Sequence, residues 1–190
     1  MDLTGNESID LSNVSFDSNA QMTFDGTNDG INILAGSGIF TNSSFAVEAV
    51  LKYTNNGQTQ VYFSTGAPIS INGGIHLRIY STNGLLRMGF YGDDLNTSAG
   101  AITPNKFQHI VMQYDYSSDI SRIYVNGNQK ATGSNGPYTP ETSQPTIGYA
   151  PSPYSEYLQG ELPIMKIYNR ALTADEVRNN YRHYKTRFDI

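Results

Sequence analysis

A chain of 190 residues is long enough for one large all-β domain to bury its own core. A formal net charge of -5 with only 15% charged residues, and no lysine- or arginine-rich run, excludes the basic patch that nucleic acid requires. Cysteine is absent, which removes disulfides and thiolate metal sites, and the polar stretch after Met1 has no apolar leader or long apolar run. A soluble chain with no signal peptide and no membrane insertion is therefore expected.

Eighteen glycines and 14 tyrosines, among many Asn, Ser and Thr, suit a turn-rich β domain. Residues 1–19 are polar, with scattered Leu3, Ile9, Leu11, Val14 and Phe16. They read as a lead-in with a first edge strand or as a docking arm, and the domain proper runs over 20–190. Ala20 to Phe24 alternates up to Asp25-Gly26, a turn signal, and Gly30 to Leu34 is a short strand before a glycine-rich loop. Phe45 to Tyr53 is the clearest strand: Phe45, Val47, Ala49, Leu51 and Tyr53 point one way, Glu48 and Lys52 the other. Asn55-Asn56-Gly57 turns it into Gln60 to Ser64. Ile75–Ser81 and Leu85–Tyr91 flank Thr82-Asn83-Gly84, a hairpin signal, and Asp93 opens a polar loop running to Asn105. His109–Tyr116 is a strand, and Arg122–Val125 pairs through Asn126-Gly127 with Gln129–Ala131. Gly133–Tyr157 is rich in Pro, Ser and Tyr, with only Thr146–Tyr149 strand-like.

The chain closes with a strand, Gly160–Tyr168, and a short helix. Thr173 and Glu176 form a capping box, Leu172 and Val177 a hydrophobic staple, and Val177, Tyr181 and Tyr184 share one helix face. About a dozen short strands with steady turn chemistry predict an all-β, antiparallel two-sheet β-sandwich with one short C-terminal helix.

The ordered motifs resemble the laminin-G-like, concanavalin A-like jelly-roll superfamily. They are Phe24-Asp25-Gly26-Thr27-Asn28-Asp29, Phe45 to Leu51, Phe107-Gln108-His109-Ile110-Val111, Tyr124-Val125-Asn126-Gly127 and Ile167-Tyr168-Asn169-Arg170-Ala171-Leu172-Thr173. Asn179-Asn180-Tyr181 with Lys185-Thr186-Arg187-Phe188 is similar to versions carried by tailed phages. That resemblance implies a non-catalytic virion component, on capsid or tail, which contributes adhesion or reinforcement. Its partners would be other virion proteins or a cell-surface glycan, and it would be multimeric by the symmetry of its particle. The alternative is a free carbohydrate-binding module. Members commonly bear Trp where Phe107 stands, and often where Val50 stands. Many have Gly-x-Ile-Asp in the last strand, the Asp helping to hold calcium beside the Phe-Asp-Gly turn; here the stretch is Gly160-Glu161-Leu162-Pro163.

Asp25, Asn28 and Asp29 offer hard oxygens for a Ca2+ ion, with Glu161 or backbone carbonyls making up the set; alternatively they bond their own turn. The Glu-x-Asp-x-Glu pattern of concanavalin A-like glycosidases is absent, and no predicted strand carries two acids two residues apart. His76, His109 and His183 lie in unrelated contexts, His109 reading as a core or rim histidine. No nucleophile elbow or phosphate cradle is present, so no enzyme activity is assigned. Tyr138, Tyr149, Tyr154 and Tyr157 cluster with Asn135, Glu141, Gln144 and Glu156. Aromatic faces beside amides and carboxylates are what a sugar needs, with Asp93, Asp94 and Asn96 adding acceptors from another loop. The same tyrosines serve equally to pin a loop or to make a protein contact.

Overall fold

The computed structural model describes residues 9–11, 13–19, 21–34, 40–65, 70–134, 136–139 and 144–190. In chain order the strands are β1 (Ile9–Asp10), β2 (Ser15–Phe16), β3 (Met22–Asp25), β4 (Ile31–Ile33), β5 (Phe45–Tyr53), β6 (Thr59–Ser64), β7 (His76–Tyr80) and β8 (Leu85–Gly89). They continue as β9 (Asp94–Asn96), β10 (Gln108–Asp115), β11 (Ile120–Val125), β12 (Asn128–Gly133), β13 (Thr146–Ile147), β14 (Tyr149–Ala150), β15 (Glu156–Tyr157) and β16 (Gln159–Tyr168); the helix α1 spans Ala174–Phe188. Two seven-stranded sheets form, ordered β1-β4-β13-β6-β7-β8-β9 and β12-β11-β10-β5-β16-β3-β2, with β14 and β15 as a separate two-stranded ribbon. Every pairing is antiparallel. The polar lead-in supplies a short edge strand to each sheet.

The alternation read in β5 places Phe45, Val47, Ala49, Leu51 and Tyr53 in the core between the sheets. They meet Phe63, Leu77, Ile79, Leu86 and Met88 from the facing sheet. Burial of each large apolar side chain contributes about 1.5–3 kcal/mol. The other face of β5 is also closed, because α1 lies across it: Val177 joins Ala46 and Val111, while Tyr184 and Phe188 cover Val50. The capping box is formed as expected, with Glu176 N–H donating to Thr173 Oγ1 at 3.2 Å and Thr173 N–H to Glu176 Oε2 at 2.8 Å. Gln113, 1% exposed on β10, holds the helix entry: its amide accepts from Leu172 N–H at 2.8 Å and donates to Leu172 C=O at 3.0 Å.

Two local expectations are revised. The polar loop after Asp93 contains β9, paired with β8. The expected strand Thr146–Tyr149 divides at Gly148, whose φ of +82 takes the left-handed region, and where a Cβ would stand 2.2 Å from Phe24 Cε1. That break lets β13 stay in the first sheet while β14 leaves it to pair with β15. Among the described residues no helix is long and apolar enough to cross a membrane.

Candidate functional site

The ribbon β14–β15 lies against β6 and shapes the end of the first sheet. Tyr149 and Tyr157 are cross-strand partners, and their rings stack at 6.0 Å with an interplanar angle of 11°. Tyr149 OH donates to Asn32 Oδ1 at 2.5 Å, which ties the ribbon to β4. Burial foremost raises the pKa of the Tyr149 phenol, keeping it a neutral donor. The turn passes through Ser155, a non-glycine residue with φ of +49, and presents Tyr154 beside it.

A cleft of about 290 Å³ opens here, lined by Gly26, Asn56, Gln58, Thr59, Tyr154, Ser155, Glu156 and Tyr157. Buried Gln60 joins its walls: its amide donates to Thr54 C=O at 2.7 Å and Asn56 Oδ1 at 3.0 Å, and its oxygen accepts from Gln159 N–H at 2.9 Å. Ser81 Oγ donates to Gln58 C=O at 2.6 Å. The cleft floor is thus preorganised by hydrogen bonds rather than left to loop sampling.

From the cleft a polar, aromatic strip runs over the outward face of β7, β8 and β9. Tyr154 packs edge-on against His76 at 4.7 Å, with the Arg78 guanidinium 5.0 Å from its centroid, and Arg78 Nε binds Glu156 Oε2 at 2.7 Å. Arg78 stands directly opposite Arg87, a repulsive pairing on its own. It is offset because Arg87 pairs with Asp94 at 3.0 Å, donates to Asn96 Oδ1 at 2.8 Å and lies 5.0 Å from the Tyr80 centroid.

Of the residues singled out in the sequence, Tyr154 and Tyr157 line the cleft, Tyr149 backs it, and Asp94 and Asn96 sit farther along the strip. Asp93 contributes its carbonyl, which accepts from Phe90 N–H at 3.0 Å and closes the β8–β9 turn. Tyr138 is placed elsewhere: at 2% exposure it packs in the core, its ring 4.9 Å from Phe90 and 6.0 Å from Phe45. Asn135 and Glu141 lie outside the described residues, and Gln144 is exposed away from the cleft lining. Arg78, Arg87, Asn56 and Gln58 were not singled out. The two arginines had a signal, since they sit at matching outward positions of the hairpin around Asn83-Gly84.

The calcium candidates bond their own turn. Asp25 Oδ1 accepts from the N–H groups of Thr27 (2.7 Å), Asn28 (3.1 Å) and Asp29 (3.4 Å), and Asp29 Oδ2 accepts from Asp25 N–H at 2.8 Å. The Thr27 bond leads in holding the Asp25 carboxyl below its ordinary value. Glu161 pairs with Lys52 at 2.5 Å. Among the described residues no group of three or more His, Cys, Asp or Glu side chains is placed to hold a metal. His109 is a core residue at 0% exposure, its Nε2 2.7 Å from Glu48 Oε1.

Residues 25–178 match a laminin-G family model described as the concanavalin A-like lectin/glucanases superfamily. The chain belongs to that superfamily. No curated protein matches it in sequence. Among solved structures, this concanavalin A-like domain is similar to botulinum neurotoxin type C, whose cell entry depends on interaction with two ganglioside molecules. The TM-score is 0.68 at 16% identity, over 94% of this chain and 46% of that one. It is also similar to a proposed carbohydrate binding protein from Bacteroides ovatus (TM-score 0.60, 19% identity, 91% of this chain and 44% of that one). A third similar structure is the CBM40 of the Ruminococcus gnavus IT-sialidase (TM-score 0.63, 16% identity, 74% of this chain and 84% of that one). The chain spans just under half the length of the first of these. At such identities the likeness establishes the fold.

Proposed function

We propose that this domain is a non-catalytic glycan-binding module whose binding site is the cleft between the β5–β6 turn and the β14–β15 ribbon. The carrying observation is the lining itself: two tyrosine rings, Tyr154 and Tyr157, beside the amides of Asn56 and Gln58 and the carboxylate of Glu156. Aromatic rings offer faces to the C–H patches of a sugar, while a few convergent polar groups fix its hydroxyls. Glu156 is the one acid in that lining, and it is paired with Arg78. Glycoside hydrolysis needs two carboxylates across the scissile bond, roughly 5–9.5 Å apart, which favours binding without turnover. The sialidase module and the ganglioside-dependent toxin on the same fold support the reading.

The virion role implied by the resemblance rests on the motif at 179–188. In that segment Tyr184 and Phe188 are spent on the domain's own sheet, so the helix's apolar face is an internal contact rather than a docking surface.

Purified protein applied to an arrayed set of polysaccharides and cell-surface glycans should bind saturably, and Tyr154→Ala or Tyr157→Ala should abolish binding while melting cooperatively. No binding to any glycan, or capture that both substitutions leave intact, would overturn the proposal.

A further inference from the structure

We infer that the bound glycan is an oligosaccharide that leaves the cleft over Tyr154 and rests a further sugar unit against Tyr91. The inference rests on the glycan-binding reading above and extends the same site. A cleft of about 290 Å³ lies at the lower end of small-ligand pockets, so a longer chain has to continue outside it. Tyr91 is not part of the lining, yet its ring lies 6.5 Å from that of Tyr154, at an interplanar angle of 73°. The two rings meet edge to face, so the aromatic contact runs on from Tyr154 of the lining to Tyr91.

The backbone at Tyr91 is the second observation. Its φ is +61, a left-handed conformation that a bulky side chain seldom takes. The turn it occupies is secured without the ring: Phe90, its neighbour, is buried in the core, Phe90 N–H binds Asp93 C=O, and Tyr91 C=O accepts from Asn72 N–H at 3.1 Å. Asparagine or glycine would meet that backbone demand at lower cost. The tyrosine instead holds a large ring 38% exposed to solvent, outside the core, with its side chain hydrogen-bonded to that of Tyr154. A strained backbone that holds an exposed aromatic against a cleft residue points to a role at that site. The occupant's chemistry follows from the neighbours: Arg78 lies beside the Tyr154 ring and Glu156 beside Arg78, the mixture of ring faces and hydrogen-bonding groups that a second sugar would use.

The test is calorimetry on a size-fractionated series, monosaccharide to hexasaccharide, prepared from the arrayed polysaccharide that captures the wild type best. Wild-type affinity should rise by roughly tenfold between the shortest oligosaccharide bound and the longer ones, the scale of one aromatic contact. Tyr91→Asn, which tolerates the left-handed backbone, should remove that rise while binding the shortest one unchanged, and Tyr91→Phe should restore it. A flat wild-type series overturns the inference, as does a Tyr91→Asn series equal to wild type or a Tyr91→Asn loss already complete on the shortest oligosaccharide. The two readings separate cleanly. Binding abolished by Tyr154→Ala but indifferent to Tyr91 leaves the cleft standing and sinks only this extension, whereas no capture of any arrayed glycan by wild type sinks both.

Discussion

Glu48 shows how a single polar residue is kept at the centre of a closed β face. It is 0% exposed, with Oε1 2.7 Å from His109 Nε2 and Oε2 accepting from Tyr168 OH at 2.5 Å. Burial works to raise its pKa, but the hydrogen bonds from His109 and Tyr168, with the charge of Lys166, outweigh that and hold it below its ordinary value of 4.5. A depressed carboxyl contributes stability that is fully present above the unfolded value and is lost as pH falls through the folded one. Glu48→Ala should lower stability by about 3 kcal/mol at neutral pH, since it strands buried His109 and half-buried Tyr168. In urea melts the midpoint should fall with an unchanged slope, and the gap from wild type should narrow as pH is taken below 4.5. A gap that widens on acidification would contradict the assignment. Composition marked Glu48 only as a residue on the second face of β5. That the face would be closed by α1, making the glutamate a buried acceptor, depends on packing between segments more than a hundred residues apart.

At the scale of elements, β5 and α1 were legible for a physical reason: each carries its own period and end signals. Phe45–Tyr53 carries an apolar residue at every second position, and Thr173 with Glu176 closes a local box. The short pairings were less so. β9 and the break at Gly148 follow from partners supplied by other strands, and three-residue or two-residue strands hold too little pattern to read. Tyr138 shows the limit from another side. A tyrosine in a Pro-rich segment looks like a surface aromatic until Phe45 and Phe90 are seen around it. The latch itself is testable. Gln113→Leu preserves volume but leaves the Leu172 N–H and C=O without their buried partners, so it should cost about 2–4 kcal/mol. Hydrogen exchange in α1 should accelerate ahead of exchange in β5. Uniform acceleration across both sheets would mean that Gln113 supports the core rather than the helix entry.

The whole molecule is asymmetric in what it offers outward. The sheet built on β5 and β10 is covered by α1, whereas the opposite sheet leaves β7, β8 and β9 with an outward strip of Tyr80, Arg87, Asp94 and Asn96 leading to Arg78 and Tyr154. The cleft at its end unites Gly26, Asn56, Gln58 and Thr59, and residues 154–157. Those three stretches are separated in the chain, and buried Gln60 ties Asn56 to Gln159 beside them, so the aromatic half of the site could be read from composition but the amide half could not. The net charge of -5 weighs against polyanionic partners at long range, leaving local stacking and hydrogen bonding to decide affinity.

The most direct test is a two-dimensional amide NMR titration of the intact chain with an oligosaccharide from the arrayed glycan that it captures. The account predicts shifts concentrated at residues 56–59 and 154–157, extending to Tyr91 with the longer oligosaccharides, and the amides of α1 unmoved. Shifts centred on α1 or on β10–β12, with the cleft silent, would contradict it.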